Sequence, residues 1–429
     1  MEPVVSNSSS DWVKEASATR NIIIGTGVLA LGSYVLLAIT SRQLSAHEYS
    51  LFAAFWSVVM GLILGATAPL ETFGLSTTTI INNELQIDKQ FVSAIRIVLL
   101  AVLGVVFFVL PWFIPRVFDG HWSFLIATIL ALLGFTLTYS ARGVLVVEHR
   151  SGRYASLMSL ESLLRIGLAA TFIWLIGAGG SSVALAVSLA AIVVGGLSYI
   201  SIRQHISLRF LAVKNSTQKS QNFVPLLVAS LATLLVLNLG PFIVQYLSGA
   251  EAAAAGIFLN ALTLSRVPIM LGPVLQARLV PSVTAILSRE EFPTLRKLIG
   301  KGMRGLIIGG IAFVAGFALF GDIVINTLFG GITTLNQLDL ALLAIPTFLY
   351  LIAIAFQSVL VALKETKKIA KAWVLGLVAY LFALLLPSEA ILKVEVAGVM
   401  AMSTVVVLLF YQLSTAMKSG LSSNTISSE

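Results

Sequence analysis

Arg165, Arg266 and Arg278 stand inside long apolar stretches of the sequence, and Glu161 stands with them. A charge in the hydrocarbon layer of a membrane costs at least ~2.5 kcal/mol on insertion scales, so each is a candidate for function. Arg266 is the strongest, because it falls near the middle of its segment and Pro268 follows two residues on. It reads as the ligand of an anion in a water-filled cleft, or as a structural partner of helix carbonyls or of a distant acid. Arg278, twelve residues further, lies about 18 Å away along a helix. It extends an electropositive track or snorkels to the inner headgroups.

Glu161 and Arg165 are four residues apart and share one helix face, the acid N-terminal to the base. They form a self-neutralising pair, or one that opens so that Arg165 takes an anion while Glu161 takes a proton. Arg42 closes the first apolar segment, and Glu71 ends the second as a cation or proton site or as a headgroup contact. Arg142, near the end of the fourth, reads as an anchor at the inner face. Asn238 and Asn260 offer neutral partners for a hydroxyl-rich ligand, as does Gln276. Pro268 and Pro273, with Pro281, break the ladder of the eighth segment, and Gly240-Pro241 break the seventh. These mark hinges beside a cleft, or fixed bends needed for packing. Trp112, Phe113 and Trp122 read as interfacial belts.

The elements that must position these residues are apolar helices. Of 429 residues, 58% are hydrophobic and 11% charged, against about 25% charged in soluble chains. A soluble enzyme, a coiled coil and a disordered scaffold are excluded. Spans need about 20 apolar residues each. Twelve such segments run over 21–40, 51–71, 91–113, 122–146, 156–176, 182–202, 224–246, 254–281, 304–327, 340–362, 369–387 and 394–414. The polar break 203–222 separates six from six. This gives a cytoplasmic N-terminal segment 1–20, an N-lobe 21–202, a linker 203–223, a C-lobe 224–414 and a cytoplasmic tail 415–429. No signal peptide precedes the first span, so that helix is expected to act as the insertion signal.

With the N-terminus inside, 21 of the 27 Lys and Arg fall on cytoplasmic segments. Three fall outside (Arg42, Arg116, Lys393) and three within helices (Arg165, Arg266, Arg278). That bias places both termini in the cytoplasm. Leu44-Ser45-Ala46-His47-Glu48 after the first helix is echoed by Leu247-Ser248-Gly249-Ala250-Glu251 after the seventh. An offset of 203 carries one copy onto the other. The expected fold is therefore all-α and polytopic, about 12 transmembrane helices in two six-helix lobes related by a parallel pseudo-two-fold repeat, with a central cleft.

No cysteine is present, and the four His lack metal-ligand spacing. No Gly-rich phosphate loop of the Lys-Ser/Thr type occurs, and no outside loop is large enough to build a glycosyltransferase site. Neither an enzyme activity, nor a cofactor, nor a metal, nor a nucleic-acid partner is expected. The connection Ser76–Gln90 lacks the Gly/Asp/Arg-rich signature of the major facilitator transporters.

The run Arg42-Gln43-Leu44-Ser45-Ala46-His47-Glu48-Tyr49-Ser50-Leu51-Phe52-Ala53 resembles the junction of helices one and two in polysaccharide flippases. These belong to the multidrug/oligosaccharidyl-lipid/polysaccharide exporter superfamily. Ser50 stands where Gly is common, and Gly74-Leu75 with the proline-bearing eighth helix also fits. The resemblance implies a V-shaped pair of lobes in a bacterial cytoplasmic membrane. It implies translocation of a polyprenyl-diphosphate-linked oligosaccharide from the inner to the outer leaflet by alternating access. Lipid II flippases carry arginines in their first two spans, so lipid II is disfavoured as cargo. Glycosyltransferases and a polymerase of the same pathway are the implied partners. On this reading Arg266, assisted by Arg165 and Arg42, binds the diphosphate. Two alternatives stand beside it: a cation-coupled drug or metabolite antiporter working through Glu161 or Glu71, and a non-transporting membrane scaffold.

Overall fold

The computed structural model describes residues 9–81, 84–87, 89–203, 223–249, 254–272, 292–330, 335–363 and 365–426, together with 275, 279, 282, 283 and 286. It divides into two compact units, 1–223 and 224–429.

In the first unit α1 (Ser9–Gln43) runs to a short turn at Ser45. The Ser45 hydroxyl accepts from the Glu48 amide at 3.2 Å and caps α2 (Ala46–Val58). A π-turn over Val59–Ile63 joins α2 to α3 (Leu64–Thr77), so the second span covers 46–77 and is longer at both ends than the apolar run 51–71. Pro69 lies inside α3, where it cannot donate to the carbonyl four residues back. Then follow α4 (Lys89–Phe108), the short α5 (Ile114–Val117), α6 (Ser123–Val147), α7 (Ser151–Leu175) and α8 (Gly180–Arg203).

The connection between α3 and α4 is not a plain loop. β1 (Thr78–Ile81) pairs antiparallel with β2 (Glu84–Ile87), in a register that sets Thr78 against Ile87 and Ile81 against Glu84. Each strand is four residues long, too short for its alternation to rise above the helical pattern around it.

The second unit holds α9 (Phe223–Asn238), α10 (Gly240–Ser248), α11 (Ala254–Ser265), α12 (Phe292–Phe329), α13 (Gln337–Ala362), α14 (Thr366–Ala383) and α15 (Ala390–Ile426). α9 and α10 meet at Leu239 with a bend of 52°, the geometry of a broken span or a re-entrant loop. Pro241 opens α10 and has no N–H to return to the Leu237 carbonyl, so the ladder breaks there. The Asn238 amide donates back to the Leu234 carbonyl at 2.9 Å and closes the end of α9. α13 begins with a capping box, in which Asn336 and Asp339 exchange hydrogen bonds with each other's backbone.

All twelve apolar segments carry helix among the described residues. Among the described residues nine helices, or ten counting the bent pair, are long and apolar enough to span a membrane. The eighth differs from the continuous 254–281 expected: α11 ends at Ser265, and a 3-10 turn with Pro268 near its start covers Val267–Met270.

Small residues bring the helices together, since lipid offers no hydrophobic drive for their association. On α6 and α8, a Cβ at Gly134 would meet the Ala191 carbonyl carbon at 2.4 Å, and one at Gly195 the Gly134 oxygen at 2.6 Å. Large apolar side chains face outward instead, Phe108 at 79% and Trp174 at 83% exposed, as a lipid-facing surface requires.

Candidate functional site

Two polar arrangements lie within the spans, one in each unit. In the first unit Glu161 on α7 accepts from Arg142 Nη2 on α6 at 2.8 Å, and from Arg165 Nη2 one turn along its own helix. All three side chains are at most 4% exposed. Aromatic rings flank the guanidinium groups: Arg142 lies 4.8 Å from the Tyr139 ring centroid and 5.7 Å from that of Tyr154. Arg165 lies 5.4 Å from Phe135 and 5.9 Å from Trp56. Ring faces stabilise a cation that water cannot reach. Tyr154 also donates its hydroxyl to Glu71 Oε1 at 2.8 Å, tying α7 to α3.

Two arginines thus meet two carboxylates, with Glu161 taking one guanidinium on each of its oxygens. Arg142 does not anchor at the inner face: it is 1% exposed and belongs to this network. Its sequence position, five residues before the end of α6, gave the wrong signal; Tyr139 one turn earlier was the better one. Glu161 and Arg165 lie together, as their spacing requires, but with Arg142 as a third member. Glu71 joins through Tyr154. Arg42 is exposed at the C-terminal end of α1, where a cation suits the helix dipole.

In the second unit Arg266 stands at the junction of α11 and the 3-10 turn, with φ −95° and ψ 0°. It is therefore at a helix break, where backbone groups are already freed, and not in mid-helix. Its Nη1 donates to Asn238 Oδ1 at 2.8 Å, so the break in one span positions the cation at the break in the other. Arg266 lines a cavity of about 30 Å³ together with Gly240, Thr347, Tyr380 and Glu395, room for about two water molecules at ~10–15 Å³ each.

Asn260 is buried on α11, at 8% exposure. Gly240 and Pro241 form the start of α10, and Pro268 sits in the 3-10 turn. Arg278, Pro273, Gln276 and Pro281 lie outside the described residues. Glu395 and Tyr380, which line the Arg266 cavity, are absent from the sequence-derived set. Glu395 had a signal, an acid one residue inside the apolar stretch 394–414.

No family model matches the chain. Proteins of unassigned function from Mycobacterium bovis and from two strains of Mycobacterium tuberculosis are 23% identical over 349 residues, covering 76% of each chain. Among solved structures, an inward-facing multidrug resistance MATE family transporter of the MOP superfamily aligns with TM-score 0.64 and 16% identity, over 94% of this chain and 99% of that one. An outward-facing structure of such a transporter gives 0.59 at 14% identity, over 95% and 96%. A Vibrio cholerae MATE transporter gives 0.57 at 17%, over 96% and 98%. The chain therefore has the all-α polytopic fold of MATE transporters of the MOP superfamily.

Proposed function

We propose that this protein is an alternating-access transporter that carries a polyprenyl-diphosphate-linked oligosaccharide from the inner to the outer leaflet of a bacterial cytoplasmic membrane, with both termini in the cytoplasm. Two observations support transport as such. The fold is one whose solved examples include inward-facing and outward-facing transporters, and the resemblance at Arg42–Ala53 is to flippases of the same superfamily.

The observation that carries the choice of cargo is the position of Arg266. A half-buried guanidinium lines a cavity at a helix break, oriented by the neutral oxygen of Asn238. A planar fork of donors suits the paired oxygens of a diphosphate. Thr347 and Tyr380 line the same cavity, which has room for about two waters and therefore has to open during the transport cycle to admit a diphosphate and its sugar. The prenyl tail stays in lipid, and an inside-negative potential favours outward movement of the anion by about 2.3 kcal/mol per charge per 100 mV. Arg165 is a lesser candidate, because Glu161 already engages it. The glycosyltransferases and the polymerase that make and use such a glycan are the natural partners.

The test is binding of inorganic diphosphate to the purified full-length protein. Wild type is expected to bind and Arg266→Ala to lose binding while remaining monodisperse. Equal binding by both removes Arg266 from the site.

A second reading, a cation-coupled multidrug or metabolite antiporter, draws on the buried Glu161, the half-buried Glu71 and the solved MATE structures. It expects drug efflux that fails in Glu71→Gln and persists in Arg266→Ala, the reverse of the flippase pattern.

A further inference from the structure

Four arginines from three helices gather at one end of the first unit: Arg20 on α1, Arg150 and Arg153 at the start of α7, and Arg203 at the end of α8. The chain builds this gathering step by step. α6 stops where His149 takes φ 56°, in the left-handed region, and the Arg150 amide returns to the Leu145 carbonyl at 2.9 Å. α7 then begins at once, with the Arg150 carbonyl accepting from the Arg153 and Tyr154 amides at 3.0 and 3.1 Å.

The start of α7 is tied to the helices on both sides. Arg150 Nη1 donates to the Ser201 carbonyl at 2.8 Å, and Arg153 Nε to the Ser201 hydroxyl at 3.1 Å. Ser201 lies in the last turn of α8, two residues before Arg203. On the other side the Asn21 amide, next in sequence to Arg20, donates to the Ser151 hydroxyl at 3.3 Å. Gly25 lets α1 and α7 close there, since a Cβ would stand 2.8 Å from the Ala155 Cα. The arginines therefore form a row whose spacing is set by packing. Among the described residues one carboxylate pairs into it, that of Glu148, with Arg150 Nη1 at 3.1 Å. Arg20, Arg153 and Arg203 are exposed.

Beside the row the exposed surface turns apolar. On α1 the exposed Ile23, Ile24 and Leu31 fall within about 60° of Arg20 around the helix, at 3.6 residues per turn. On α8 the exposed Tyr199 and Ile200 stand within about 60° of Arg203 by the same count. Cations thus edge a band that faces hydrocarbon.

We propose that this row is a binding surface for the headgroups of anionic phospholipids. Guanidinium forks suit phosphate oxygens, the adjoining apolar faces take the acyl chains, and the positive end of the α7 dipole lies in the row. A soluble phosphate gains nothing from the apolar faces, so the surface selects a lipid. On the orientation set by the charge bias it meets the inner leaflet. The proposal stands apart from the cargo assigned to Arg266.

Native mass spectrometry of the purified full-length protein, titrated with phosphatidylglycerol or with phosphatidylcholine, tests it. Wild type is expected to retain phosphatidylglycerol in preference. An arginine beside an anionic lipid contributes about fivefold, so Arg20→Gln/Arg203→Gln is expected to weaken that retention roughly 25-fold and to leave phosphatidylcholine unchanged. Arg20→Gln alone, expected to give about fivefold, keeps the test sharp if the double variant folds poorly. Lys367→Gln/Lys371→Gln removes the same two charges from exposed positions on α14 and is expected to leave the preference intact. Equal loss in the two double variants marks a bulk charge effect and overturns the proposal, as does wild type without a lipid preference. Glycerol 3-phosphate carries the phosphate without acyl chains and is expected not to displace phosphatidylglycerol at equal concentration. Displacement makes the row a soluble-phosphate site and overturns the lipid assignment.

Discussion

Arg142 on α6 donates to Glu161 on α7 at 2.8 Å, with both side chains at most 2% exposed. The pair joins two neighbouring helices at a depth where neither charge reaches water, and Glu161 holds Arg165 as well. Breaking a buried pair by removing one partner costs about 3–5 kcal/mol, because the other charge is left uncompensated. Glu161→Leu strands two guanidinium groups and is expected to lower thermal stability in detergent more than Arg142→Met, which strands none. Equal, small shifts in the two variants contradict this.

Glu48 plays a quieter part. Its Oε2 accepts from the Gly180 amide at 2.6 Å, satisfying a donor at the first turn of α8. A carboxylate there also meets the positive end of the helix dipole. Glu48→Ala is expected to cost about 1 kcal/mol, read as a lower melting temperature, with Glu48→Gln retaining part of the loss. A melting curve identical to wild type removes the contact from the account.

The α6–α8 contact leaves no room for a side chain. Gly195→Val forces branched carbons against the Gly134 carbonyl, whose oxygen already stands 2.6 Å from an ideal Cβ. Overpacking of this kind costs about 1–3 kcal/mol. The expected result is reduced membrane-inserted protein and a lower melting temperature, whereas Gly196→Val, where a Cβ meets nothing within 4 Å, leaves both unchanged.

Asn238 positions Arg266. A hydrogen bond to a charged group contributes about 1.5–3 kcal/mol, so Asn238→Ala is expected to weaken diphosphate binding roughly tenfold. Asn238→Asp sets a carboxylate beside the guanidinium and is expected to abolish binding at near-neutral pH. Wild-type affinity in Asn238→Asp contradicts the assigned geometry.

The apolar helices were legible because a span must be apolar over its whole length, but run lengths missed both ends of the second span and the break within the eighth segment. The Glu161–Arg165 pairing was legible for a different reason: helical periodicity puts residues four apart on one face. Arg142 was not, because a cation near a helix end has the same sequence signature whether it points to headgroups or turns inward to an acid on another helix. Arg266 was found by its rarity, yet its place at a break depends on Pro268 ending α11 early, and a proline in an apolar run signals a kink without saying where the ladder stops. Glu395 and Arg266 are 129 residues apart in the sequence, and only the fold brings both to the lining of one cavity.

The central claim is that Arg266 binds the diphosphate of a lipid-linked glycan during its translocation. The most direct measurement is the pool of lipid-linked oligosaccharide facing the cytoplasm in a strain lacking this protein, complemented with wild type or with Arg266→Ala at equal membrane abundance. The account predicts accumulation in the deletion strain, cleared by wild type and not by Arg266→Ala. Clearance by Arg266→Ala at the wild-type rate would contradict it.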